Sequence, residues 1–164
     1  MQRSMRNLLL TVHIAVTAGS LGMDLVMLVL GLTGWSGGDP LTIYPAAHLI
    51  GSWLLAPAAG LSLATGLVLT QITSWKVTRH GWVAAKLAIT GMLNGAVLFG
   101  LLPRLRMLAE ASASGESALG AADRFFPAAA ASVGAVLLIA AIALSVFKPR
   151  WPLRRSAEPV TAAP

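Results

Sequence analysis

The 164 residues contain no cysteine, which excludes disulfides, thiolate metal ligands and thiol nucleophiles. Charge is nearly as scarce. Only 11% of the residues are Asp, Glu, Lys or Arg, where a water-facing domain uses about 25% to cover its surface. Acidic groups number six against twelve basic ones. No nucleophile elbow, Gly-rich phosphate loop or paired-carboxylate arrangement occurs, so nothing in the chain signals an enzyme. The balance of +6 raises the question of nucleic acid, but no basic stripe with interleaved aromatics exists and no nucleic-acid partner is expected.

What the chain has in abundance is apolar sequence: 56% of it is hydrophobic, with a mean hydropathy of +0.75. Four apolar runs cover about 8–32, 46–72, 83–102 and 127–146. A helix rises about 1.5 Å per residue, so roughly 20 residues cross a hydrocarbon core of about 30 Å. Backbone groups in lipid must be satisfied within the segment, and the alternation of a barrel strand is absent, so the runs read as helices. The sequence thus predicts one all-α, membrane-embedded four-helix bundle over 8–147. A short N-terminus, 1–7, precedes it, and a basic tail, 148–164, follows as disordered chain.

Lys and Arg set the expected orientation. Nine of them fall at the N-terminus, in the region of the second loop and in the tail, against Arg104, Arg106 and Arg124 on the other side. The positive-inside rule then places both termini in the cytoplasm of a multi-pass protein of the cell membrane. Arg104 and Arg106 run against that rule, at the expected outer end of the third span. The first run is expected to be retained and not cleaved as a signal peptide, because cleavage after Ala18 would leave too few apolar residues to span.

The first run carries the most informative pattern. His13, Thr17, Ser20 and Asp24 are spaced i, i+4, i+7 and i+11, on one helical face. An ionisable group inside a bilayer is costly and faces the bundle interior or a wet cavity, which singles out Asp24. Depth counted along the helices puts Asp24, Asn94 and Ser52 at one level and His13 and Lys86 at a second. Such groups either relay protons, ions or a small polar molecule, or hydrogen-bond across helices and fix the bundle. Gly91 and Gly95 in the third run, and Ala56, Gly60, Ala64, Ser62 and Gly66 in the second, permit close helix approach. Pro57 is expected to kink the second helix and free the carbonyl of Trp53. His13 and His48 lie at opposite depths and cannot ligate one iron together. No His-x-x-x-His or Glu-x-x-His pair exists, so no dedicated metal site is expected.

Between the second and third runs, Trp75, Arg79, His80, Trp82 and Lys86 form the phrase Trp-x-x-x-Arg-His-x-Trp-Val-x-x-Lys. Cations and indoles at a span end suit the headgroup boundary, with a cytoplasmic docking or anion site as the functional alternative. With His13-x-x-Ala in the first run and Thr65-Gly-Leu-Val in the second, this phrase resembles a group of small, uncharacterised four-span membrane proteins of actinobacteria. The resemblance covers about 8–102 and implies no activity. The first run also resembles, more faintly, the opening helix of copper-resistance and haem-pathway membrane proteins, although Ser20-Leu21-Gly22 stands where those carry Trp-x-Gly.

The functional expectation is a non-enzymatic membrane protein without a cofactor, either an accessory subunit that pairs with a membrane partner or with itself, or a small transport or permeation module. The alternative is a haem-associated or redox protein in which His13 is the single axial ligand.

Overall fold

The computed structural model describes residues 3–72, 81–114 and 119–147, and among them there are helices and no strands. Four helices are long and apolar enough to cross a membrane: α1 (Arg3–Trp35), α2 (Pro40–Ile72), α3 (Gly81–Ala113) and α4 (Ala121–Phe147). All four extend beyond the apolar runs read from sequence. The largest correction is at α3, which continues through Arg104 and Arg106 to Ala113, well past the end of the apolar run at 102. Pairing explains how the charged turn stays helical. Arg106 Nε donates to Glu110 Oε1 at 2.8 Å, one turn on, and Arg104 is bonded to Asp123 at the start of α4.

The helices pack in a ring. α1 lies against α4 along most of its length and against α2; α3 closes the ring between α2 and α4, so α1 and α3 face each other diagonally. The residues that α1 buries are Ser20, Asp24, Met27, Gly31 and Gly34, a spacing of three and four that turns one stripe toward the interior. The matching face of α4 is made of small residues, among them Ala128, Ala131, Gly134 and Ala135. Small side chains let two helix backbones approach, and van der Waals contact then holds them. A Cβ added at Gly31 would lie 2.5 Å from the backbone nitrogen of Ala128. Gly60, Gly91 and Gly95, by contrast, have open space where a Cβ would stand. The closest backbone approach is therefore made by α1 and α4, while of the small residues that the sequence suggested on α2 and α3, Gly60, Gly91 and Gly95 meet no neighbour and Gly66 receives the His13 ring of α1.

Both α2 and α3 contain a π-helical stretch, Gly51–Leu55 and Ala96–Leu101. The amide of Ala56 donates to Gly51 O and that of Leu102 to Val97 O, five residues back in each case. The first widened turn immediately precedes Pro57, whose ring would crowd an ordinary α-turn and which has no N–H to donate. The proline at which a kink was expected thus follows a wide turn. Trp53 and Phe99, within these stretches, are 75% and 84% exposed.

We call the end holding Arg3, Ile72, Gly81 and Phe147 basal and the opposite end apical. The core is apical: Met27, Ala47, Leu55, Leu101, Leu105 and Ala131 form one buried cluster from all four helices. Ile43, Tyr44 and Leu108 form a second beyond it. Trp35 and Phe125 meet edge to face, ring centroids 5.4 Å apart.

The apical turn between α1 and α2 is held by local chemistry. Gly37 takes a positive φ of 95°, which glycine adopts without strain. Asp39 then caps α2, accepting from the amide of Leu41 at 3.3 Å and from the hydroxyl of Thr42 at 2.6 Å, with Pro40 opening the helix. The Thr42 hydroxyl, with the Leu41 and Thr42 amides, holds the Asp39 carboxyl below its usual range. A group whose pKa is lowered by folding stabilises the fold above its unfolded value and loses that contribution as pH falls through the folded one. Amide exchange at Leu41, Thr42 and Ile43 is therefore expected to accelerate, relative to Asp39→Asn, as pH drops from about 5 to about 2. Equal pH dependence in the two proteins would rule out the cap as the cause.

Candidate functional site

The basal half of the ring is not filled. A cavity of about 670 Å³ runs between the helices from Arg6 and Asn7 on α1 inward to Thr17. All four helices contribute polar groups: His13 and Thr17 from α1, Ser62 from α2, Lys86 and Thr90 from α3, and Ser145 from α4. The rest of the wall is chiefly aliphatic. Ligand sites of about 300–1,000 Å³ with an apolar wall and few convergent polar groups are the common form of small-molecule pocket.

Hydrogen bonds fix the orientation of these side chains. Thr65 Oγ1 donates to Leu61 O at 2.7 Å and lies 2.8 Å from His13 Nδ1. A hydroxyl has one proton; with that proton on Leu61 O, the bond to His13 requires Nδ1 to be the donor. In the neutral ring Nε2 then carries the lone pair. The imidazole lies over Gly66, where an added Cβ would come within 3.2 Å of His13 Cε1. Thus the Thr65-Gly66 pair of α2 forms the seat for His13. The same logic applies one turn deeper. Thr17 Oγ1 donates to His13 O at 2.7 Å, so Ser62 Oγ, 3.0 Å away, donates to Thr17. Across the cavity Lys86 Nζ donates to Ser145 Oγ at 2.7 Å, and Ser145 donates onward to Ala141 O at 3.0 Å.

His13 and Lys86, placed at one level by helix counting, do line one cavity from diagonal helices. The second level is different. Ser20 and Asp24 are buried on the interior stripe of α1, Asn94 is buried on α3 and Ser52 is half-buried on α2. Yet no hydrogen bond joins Asp24 to Asn94 or Ser52 among the described residues. Asn94 Nδ2 donates to Thr90 O within its own helix, at 2.9 Å. Asp24, only 6% exposed, faces α4 instead: a Cβ at Gly134 would lie 2.8 Å from its Oδ1. Its Oδ2 is buried without a hydrogen-bond partner among the described residues. The diagonal placement of α1 and α3 and the close approach of α4 separate the groups.

Trp82, read from sequence as an interfacial indole, is buried and lines the cavity. Its position in the first turn of α3, on the face shared with Lys86, turns it inward. Trp75, Arg79 and His80 of the same phrase lie outside the described residues, as does the tail. Sequence reading passed over Thr90 and Ser145 and saw Ser62, Thr65 and Gly66 only as packing or resemblance residues. The i, i+3 and i+4 spacing of Ser62, Thr65 and Gly66 was the available signal. Among the described residues no group of three or more His, Asp or Glu side chains is arranged to hold a metal ion.

Compared with known protein families, with curated proteins and with solved structures, the chain matches none.

Proposed function

We propose that this is a multi-pass protein of the cytoplasmic membrane, with both termini inside, acting as a small transport or permeation module. The basal cavity is its vestibule for a small molecule. The helices of 33 residues reach about 50 Å, beyond a hydrocarbon core of about 30 Å. At most 22% of the most apolar stretch of any helix is buried, so the outward faces are apolar, which suits lipid and not water. Basal placement of Arg3, Arg6 and Lys86, with Lys76 and Arg79 in the chain between α2 and α3, supports an inside basal end.

The observation that carries the functional reading is the asymmetry of the interior. A cavity with polar groups from all four helices occupies one half, and a packed aliphatic core closes the other. A permanent channel needs a path through both halves, whereas a vestibule sealed at its far end fits a protein that admits a solute from one side and must rearrange to release it.

Because the chain has no native cysteine, single introduced thiols report access directly. Thr17→Cys and Ser145→Cys are expected to react with a membrane-impermeant thiol reagent applied from the cytoplasmic face, and Ala131→Cys in the core is not. Labelling of Thr17→Cys from the outer face would show a continuous pore in place of a vestibule. Protection of both cavity thiols from both faces would remove the proposal.

A further inference from the structure

Resting on the reading of the basal cavity as a ligand site, the geometry points to its ligand: we propose an amphiphile with one anionic head, carboxylate or phosphate, on a single alkyl chain. Three observations converge on that chemistry. First, among the described residues the charged side chains lining the cavity are Lys86 and, at its basal rim, Arg6, and no Asp or Glu of those residues lines it. Second, Lys86 Nζ has one protein partner among the described residues, the neutral hydroxyl of Ser145 at 2.7 Å. An ammonium has three donors, and a cation held among apolar walls calls for a counter-charge. Third, the wall around it is alkyl in character, with Leu10, Ile14, Leu63, Leu69, Leu87 and Ile142 facing the space. The lining of α1 from Arg6 to Thr17 extends over about 16 Å, an elongated shape that suits a chain better than a compact solute.

The head is placed by the donors. Lys86 offers two N–H groups not used by Ser145, while the Thr90 hydroxyl, one turn along the same face, donates its one proton to Lys86 O at 2.9 Å. An oxyanion there gains charge-assisted hydrogen bonds between apolar walls, where they are stronger than at a surface. The alkyl chain then displaces whatever fills the aliphatic part of the cavity. A neutral amphiphile of the same length gains the second contribution and not the first.

Trp82 in the cavity wall gives the readout. In full-length protein with Trp35, Trp53, Trp75 and Trp151 changed to Phe, Trp82 is the only indole. Its fluorescence is titrated in detergent at pH 8 with dibromostearate, with a dibrominated single-chain lysophosphatidate and with dibromostearyl alcohol. Saturable quenching is expected for at least one anion at a concentration about tenfold or more below that for the alcohol, an advantage erased in Lys86→Gln. The tighter of the two anions identifies the head. Saturable quenching with equal midpoints for all three probes would overturn the anion assignment and leave the cavity reading standing. Quenching that never saturates with any probe would overturn both. The comparison of anion with alcohol requires no change at Lys86, so it decides the matter even if that variant fails to fold.

Discussion

Gly31→Leu is expected to unfold the bundle in conditions where the parent is stable, and Gly31→Ala to cost about 3 kcal/mol, the upper part of the range for overpacking a close-packed interior. The reason is the identity of the atoms in the way. A Cβ at Gly31 would stand 2.5 Å from the nitrogen and 2.7 Å from the Cα of Ala128, and 2.9 Å from the carbonyl carbon of Pro127. All three are backbone atoms of α4, so no side-chain rotation relieves the contact. Carbon atoms rest at about 3.5–4.0 Å, so α4 must retreat by roughly 1 Å along the most extensive helix pair of the fold. Reversible unfolding in mixed micelles measures the loss. Gly60→Ala and Gly91→Ala are the controls: both sites are open, and replacing a helical glycine there is expected to be neutral or to stabilise by up to about 1 kcal/mol. If Gly31→Ala unfolds like these controls, α1 and α4 are not packed as described.

That pair also shows what sequence could and could not reveal. The buried stripe of α1 was legible, because Ser20 and Asp24 repeat at the helical period among Leu, Val, Ile and Met, and His13 and Thr17 extend the same face. Its partner was not. The face of α4 is written in alanine and glycine, and small residues are scattered through all four helices, so their presence does not say which face is pressed against a neighbour. The pair Gly91 and Gly95 looked like a packing signature, yet these positions face open space. The end of α3 was misread for a different reason. Arg104, Arg106 and Glu110 have the composition of a loop, and only the four-residue spacing of Arg106 and Glu110 signalled a continuing helix. Trp82 beside basic residues read as a boundary anchor, since composition carries no direction; the first turn of α3 supplies that direction and turns the indole inward.

The cavity itself was the least legible feature. His13 and Lys86 were each visible as intramembrane ionisable groups, and helix counting put them at one level. A void, however, is a property of how four surfaces fail to meet. Thr17, Ser62, Thr90 and Ser145 become a set only after the ring order of the helices is known. Most of these hydroxyls bond back to a carbonyl three or four residues earlier, so each reads alone as a tolerated polar residue in an apolar helix.

Asp24 presents the sharpest conflict between stability and retention, and a double-mutant cycle with Gly134 is expected to expose it. A buried polar atom without a partner is destabilising by about 1–3 kcal/mol, and Asp24 Oδ2 is such an atom. Gly134 is where α4 makes room for it: a Cβ there would lie 2.8 Å from Oδ1 and 3.1 Å from Oδ2. Gly134→Ala alone is therefore expected to cost about 2 kcal/mol, since the carboxyl must be pushed from the space it fills. Asp24→Ala alone is expected to be near neutral, because the removal of an unpartnered polar group offsets the lost packing. In the double variant the new methyl occupies the vacated space, and stability is expected to return to the parent level or exceed it, a coupling of about 2 kcal/mol between residues in contact. Strict additivity in mixed-micelle unfolding would show that the two do not meet. If Asp24→Ala proves neutral, the bundle does not need this carboxyl for its stability, and its place just apical of the vestibule, one turn beyond Ser20 on the stripe that begins at His13, makes solute passage the property to measure in Asp24→Ala.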